Sequence, residues 1–230
     1  MSMVISRRRP ASPEAGGPGL RERNKQEKLA RIRAAALALF AEKGFAATTT
    51  REVAERAVVA TGPLFLYART KEELLLLVFA ERVESLQEER FRTLRPRVPL
   101  LRQLLHVFSG FFAFYGEDIA LSRTLIRELL FLSPELAERH GQLTRAFVAR
   151  LGELVAAAQA RGEVAPAVVP ETAAFNFFSV YLTTLVGWLS GALGTGESWR
   201  PVLESALLLQ LRGLGPGTSA PPPRSRRRQS

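Results

Sequence analysis

The sequence predicts an all-α fold in two parts, a short N-terminal three-helix unit and a longer C-terminal helical unit. Apolar residues recur at steps of three and four, most plainly in Leu101, Leu104, Leu105, Phe108, Phe111, Phe112 and Tyr115, which fall on one helical face. Strand-like alternation is nowhere sustained. Two Thr-x-x-Glu patterns, Thr49 to Glu52 and Thr70 to Glu73, mark helix starts, because the hydroxyl accepts a backbone N–H while the carboxylate turns back to the cap. With 230 residues and 47% apolar content the chain can bury a full core in one or two domains.

Residues 1–22 carry Arg7-Arg8-Arg9 and a Pro/Gly-rich stretch from Pro13 to Gly19, too polar to order themselves, and predict a disordered basic arm. No apolar run follows the arginines, so no secretory signal is expected. Leu29, Ile32, Ala36, Leu39 and Phe40 predict the first helix, with Gly44 as its stop. Thr49 opens a second that runs through Val53, Ala54 and Ala57 and gives way around Val58-Val59-Ala60. A third follows over Thr61 to Tyr67, where Pro63 is tolerated because a first turn needs no N–H from it. The Thr70 box opens a long helix over Lys71 to Arg92. Beyond the Leu101–Tyr115 stripe, further helices are expected near Asp118–Phe131, Pro134–Ala160, Glu171–Ala192 and Trp199–Leu211. The last residues, 213–230, repeat the basic, proline-rich character of the arm. The expected organisation is therefore an arm at 1–22, a helix-turn-helix domain at 23–70, a helical domain at 71–212 and a tail at 213–230.

Thr172 to Gly196 has no charge over 25 residues, long enough to raise a membrane span. Asn176, Ser179, Thr183, Thr184 and Ser190 interrupt it, with glycines at 187, 191 and 194. A buried helix with two apolar faces, Phe178-Leu182-Leu185-Leu189 and Phe177-Tyr181-Thr184-Trp188, suits it better, and no membrane partner is expected.

The absence of cysteine removes disulfides, thiolate chemistry and Cys-ligated metals, and fits a reducing cytoplasm. Two histidines, His106 and His140, leave little for a metal, and no catalytic constellation is visible, so neither a cofactor nor an enzyme is expected. The net charge of +10 is local. Residues 1–82 hold 15 Lys/Arg against 9 Asp/Glu, residues 83–212 hold 13 of each, and residues 213–230 hold 4 against none. An anionic partner such as nucleic acid is expected at the N-terminal part.

Two short helices joined by a tight turn are what a helix-turn-helix needs, the second placing its first residues against base edges in the major groove. The helix starts at Thr49–Arg51 and at Thr70–Lys71 are anion sites, each with a cation beside it. Arg51 is the best base reader, since its fork can make two hydrogen bonds to guanine. Phe65 and Leu66 stay open between core packing and apolar contact with a thymine methyl.

Residues Gln26 to Leu74 resemble the TetR-type (tetracycline-repressor-like) regulators. Leu39-Phe40-Ala41-Glu42-Lys43-Gly44-Phe45 is similar to that family's first-helix ending and Thr49-Thr50-Arg51-Glu52-Val53-Ala54 to its second helix. Gly62-Pro63-Leu64-Phe65-Leu66-Tyr67 followed by Lys71-Glu72-Glu73-Leu74 is similar to its recognition helix and exit. The resemblance implies phosphate contacts at Thr50, Tyr67 and Lys71, and a groove-facing set of Arg51, Thr61, Gly62, Pro63 and Phe65. Thr49, Ala60 and Leu66 complete the candidate DNA-contact residues. Three positions depart from the family pattern: Val58 where glycine is common, Ala60 where serine is usual, and Ala68 where an aromatic is usual.

The resemblance also implies a homodimer on a palindromic double-stranded operator, joined through the Glu171–Ala192 and Trp199–Leu211 helices, and released by a small apolar or amphipathic effector of unknown identity. Candidate pocket residues are Phe108, Phe112, Arg127, Phe131, Phe147, Asn176 and Tyr181. The alternative is a helical small-molecule or lipid-binding protein, or an enzyme, that uses the aromatic pocket.

Overall fold

The computed structural model describes residues 19–132 and 134–215; most of the expected arm and tail lies outside them. Among the described residues the chain is all-α, with nine helices, one 3₁₀ turn and no strand. The helices are α1 (Leu20–Ala47), α2 (Thr50–Arg56), α3 (Thr61–Phe65), α4 (Lys71–Arg92), α5 (Leu100–Gly116), α6 (Ile119–Leu130), α7 (Pro134–Ala160), α8 (Pro170–Leu189) and α9 (Trp199–Gly213), with the 3₁₀ turn at Gly196–Ser198. Helix α1 begins inside the span expected as arm, and α9 runs into the span expected as tail.

Two compact units emerge, Met1–Leu74 and Leu75–Ser230, so the division falls within the first turns of α4. In the first unit α2 packs on both α1 and α3. Ile32, Ala36, Leu39 and Phe40 of α1, Val53 and Ala54 of α2, and Leu64 of α3 are buried. Regular α1 geometry breaks at Gly44, whose φ of 79° a side chain would resist. The buried Thr48 seals the break by donating its hydroxyl to Gly44 O at 2.8 Å and Leu39 O at 3.3 Å.

In the second unit α5 touches α6, α7 and α9, and α8 touches α6, α7 and α9. Six of the seven residues of the predicted α5 stripe, Leu104, Leu105, Phe108, Phe111, Phe112 and Tyr115, are buried, and Leu101 is half-buried; full burial is worth about 1.5–3 kcal/mol of apolar transfer for an aliphatic or phenyl side chain. Phe108 stacks on Tyr181 with centroids 4.7 Å apart, and Phe112 stacks on Trp199 at 3.9 Å. Phe147 of α7 meets Phe91, Phe108, Phe111 and Phe178 edge-on. Asp118 caps α6, its carboxylate accepting from the Leu121 N–H at 2.9 Å. Among the described residues one helix, α8, is long and apolar enough to cross a membrane. It is packed on one side instead, with Ala173, Ala174, Phe177, Tyr181, Thr184, Leu185 and Trp188 buried.

Candidate nucleic-acid interface and ligand cavity

The first unit presents the helix-turn-helix in detail. Thr49 caps α2 with both arms of the box: the Glu52 N–H donates to Thr49 Oγ1 at 3.3 Å, and the Thr49 N–H donates to Glu52 Oε2 at 2.9 Å. Lys43, reaching over from α1, donates to the same carboxylate. That ammonium first, and the Thr49 hydroxyl and N–H next, hold the Glu52 carboxyl down at about 2. A second tie, Arg56 to Glu42 at 2.6 Å, fixes the other end of α2 to α1 and lowers the Glu42 carboxyl.

The box before α4 closes differently from the expectation. The Glu73 N–H donates to Thr70 Oγ1 at 3.1 Å, but the Glu73 carboxylate accepts from the Arg69 N–H at 2.8 Å rather than from Thr70. The return arm reaches one residue further back because Glu73, three residues on from the cap, is long enough to span it.

The turn between α2 and α3 is a Schellman closure, with the Val59 N–H on Ala54 O at 3.0 Å and the Val58 N–H on Glu55 O at 3.2 Å. This closure demands a left-handed residue, and Val58 supplies it at φ 53°, alone among the non-glycine residues described. Its side chain is 78% exposed, so packing returns nothing for the strain. Ala60 then caps α3 without a side-chain hydrogen bond, the structural result of lacking a hydroxyl there.

Leu64 is the buried anchor of α3, whereas Leu66 is 86% and Phe65 44% exposed, so neither is core. Thr61, Gly62 and Pro63 are exposed with them, and Thr49, Arg51 and Ala60 also stand in solvent. Thr50, Tyr67 and Lys71 are half-buried. Gly62 has ordinary φ, and a Cβ built on it meets nothing within 4 Å, so nothing inside the chain requires a glycine there. Arg51 pairs with Glu55 at 3.0 Å along α2. Lys71 lies 4.5 Å over the Phe45 ring and donates to Ala46 O at 3.0 Å, which uses one of its three N–H groups. The departure at Ala68 leaves a small buried side chain where α3 joins α4.

The second unit holds a cavity of about 750 Å³, within the range of pockets that enclose drug-sized ligands. Its wall is built from α4 (Leu76, Phe79, Ala80, Val83, Gln87), α5 (Phe111, Tyr115), the leucine-rich end of α6, α7 and α8. Exposed Thr144, Arg145, Glu171 and Phe175 and half-buried His140 form the rim. Of the candidate pocket residues the structure brings Phe147 and Tyr181 to the wall and leaves five elsewhere. Phe108 and Phe112 are buried off the wall, stacked on Tyr181 and Trp199, Arg127 pairs with Glu128 on an exposed face, Phe131 is 84% exposed past the end of α6, and Asn176 is exposed. Gln87 and Arg145 were missed. Gln87 had a signal, since it continues the Leu76, Ala80, Val83 stride with a polar side chain.

His106, the other histidine, is engaged in structure. Arg90 donates to its carbonyl at 3.1 Å, Thr93 Oγ1 lies 3.0 Å from Nε2, and burial followed by the Arg90 charge lowers its pKa.

Residues 32–78 match the sequence model of the family described as bacterial regulatory proteins, tetR family. The HTH-type transcriptional repressor KstR of Rhodococcus jostii is 30% identical over 182 residues, 78% of this chain and 81% of that protein. The fatty acid metabolism regulator protein of Bacillus subtilis is 23% identical over 167 residues, 73% of this chain and 86% of that one. Among solved structures, Thermus thermophilus FadR, a transcriptional repressor crystallised with lauroyl-CoA, superimposes with a TM-score of 0.68 at 26% identity, covering 85% of this chain and 98% of that one.

Proposed function

The chain belongs to the TetR family of bacterial regulatory proteins, and from that membership we propose a working arrangement: a dimer whose α3 helices read an operator and whose cavity takes an acyl-CoA thioester. Its class is that of the DNA-binding, ligand-responsive transcriptional repressors. One observation carries the reading of the head: a capped α2 and a tight turn present an α3 held by Leu64 alone, with Thr61, Gly62, Pro63, Phe65 and Leu66 in solvent. In this reading Arg51 contacts a base edge, Thr49, Thr50, Tyr67 and Lys71 hold phosphates, and Ala60 to Gly62 lie close to the groove. Glu55 holds Arg51 along α2 until DNA competes for its fork.

The thioester follows from the cavity and from the lauroyl-CoA bound by the Thermus relative. An apolar interior suits a fatty chain, while Arg145 and His140 at the rim suit an anionic head. Helix α4 contributes Leu76, Phe79, Ala80 and Val83 to the wall, and its first turn carries Lys71 of the DNA-contact set. Occupancy that shifts α4 therefore moves a phosphate contact. Dimerisation through α8 and α9 is supported by exposed Phe175, Val202, Leu208 and Leu209 on those two helices. Two heads must reach successive major grooves about 34–36 Å apart, so a few ångströms of splaying releases one of them. We assign the chain no turnover and place it in the cytoplasm with its DNA.

A gel-shift titration on the promoter beside its own gene tests this. Arg51→Ala with Lys71→Ala should weaken binding by at least about 100-fold, and lauroyl-CoA should release the wild-type complex. Full binding by the double variant would sink the assignment of the reading face.

A further inference from the structure

Three polar side chains interrupt the apolar wall of the cavity: Gln87 from α4, Tyr115 from α5 and Tyr181 from α8. They are 9%, 4% and 4% exposed, and among the described residues none of their tips has a hydrogen-bond partner. Buried polar groups in folded proteins are nearly always bonded, so three orphans on one wall call for a common explanation. They differ from Gln103 Oε1, Ser198 Oγ and Gln210 Oε1, which are sealed in protein without a partner; the three side chains instead line the cavity. Burial raises both phenols well above their ordinary range, so both hydroxyls stay protonated donors at neutral pH.

We propose that the occupant of this cavity carries a neutral oxygen, a keto or hydroxyl group, within its buried apolar part, where the Tyr115 and Tyr181 hydroxyls and the Gln87 amide bind it. The inference rests on the effector reading and narrows its chemistry. A carboxylate is unsuited to this depth, because the wall's arginine, Arg145, is at the exposed rim and an unpaired buried charge is costly. A plain hydrocarbon chain would leave all three groups unsatisfied. Hydroxyl donors and an amide that both donates and accepts can satisfy a carbonyl or a hydroxyl equally. A site built to bond an oxygen rejects the analogue lacking it far more sharply than an apolar pocket rejects a longer or shorter chain.

Calorimetric titration of the full-length chain tests the proposal, with lauroyl-CoA and forms of it hydroxylated near the head, at mid-chain or at the far end. One hydroxylated form should bind at least about tenfold tighter than lauroyl-CoA. Tyr115→Phe with Tyr181→Phe should erase that preference, and Gln87→Leu should reduce it. The double phenylalanine variant should melt no lower than the wild type when empty, since it removes hydroxyls without partners. Absence of any preference in the wild type, whether both kinds of chain bind alike or neither binds, overturns the proposal without reliance on a variant. Retention of the preference by the double variant overturns it as well. A parallel gel shift separates the two readings: equal release of DNA by plain and hydroxylated chains sinks the oxygen and keeps the effector, whereas a preference in binding without release of DNA does the reverse.

Discussion

Each of the two units of this chain is held by its own chemistry. The head is fastened by polar ties of short reach: the Thr49–Glu52 box, Lys43 and Arg56 reaching across to α2 and α1, and Thr48 closing the break at Gly44. The body is fastened by rings, with Phe147 edge-on to five others and Phe108 and Phe112 stacked on Tyr181 and Trp199. Polar ties at fixed offsets hold a surface of constant shape, which a reading face needs. Aromatic packing tolerates a cavity beside it, which a ligand site needs. The left-handed Val58 stands in the head, whereas the sealed polar atoms of Gln103, Ser198 and Gln210 stand in the body.

The sharpest way to break the comparison is at Phe147. Phe147→Ala should cost about 3–5 kcal/mol in the denaturant stability of the body and widen its cavity, while leaving protection of the α2 and α3 amides from hydrogen exchange unchanged. Loss of protection in both units together would show that the polar ties do not hold the head by themselves. Val58→Gly should work in the opposite direction, raising the stability of the head by about 1–2 kcal/mol because it relieves a left-handed β-branched residue without losing a contact. A fall in melting temperature would mean that Val58 is held by something other than the turn.

A smaller effect, and a more informative one, is expected at Gly62. Gly62→Ala should stabilise α3 by about 0.5–1 kcal/mol, since a helical glycine is entropically poor and the added methyl meets no atom of the chain. Operator affinity should nonetheless fall in the gel shift, because the space is needed from outside. Affinity that rises with stability would remove Gly62 from the reading face. The smallest effect concerns acid. Glu52 titrates near 2 in the folded head against 4.5 in the unfolded chain, so its cap contribution is complete above about pH 4.5 and is lost as pH falls toward 2. Glu52→Gln should flatten that part of the melting-temperature profile; an unchanged profile would assign the acid sensitivity elsewhere.

Much of the head is legible in sequence because its determinants are local. A Thr-x-x-Glu pattern forms its hydrogen bonds with neighbours in the chain, so Thr49 and the start of α4 at Lys71 are readable without any tertiary knowledge. Long helices with clear apolar stride are equally readable, and α4 and α7 span Lys71–Arg92 and Pro134–Ala160 as the spacing predicts. Pocket residues are different. Phe108, Phe111 and Phe112 share one stripe and one degree of burial, yet of these the cavity meets Phe111, because α7 and α8 leave space there and close it elsewhere. A void is set by what neighbouring helices fail to fill, and no residue type marks it in advance. The exception is a polar residue at a core position, and Gln87 is such a mark.

Val58 has a consequence beyond local stability. Chains sit just above the stability their function requires, so most substitutions that redirect a reading helix fail by unfolding it rather than by misreading DNA. A turn held in a strained conformation by a side chain that packs on nothing is a reserve that engineering can draw on. Starting from Val58→Gly, libraries at Thr61, Phe65 and Leu66 gain room to explore new operator sequences before the head loses its fold.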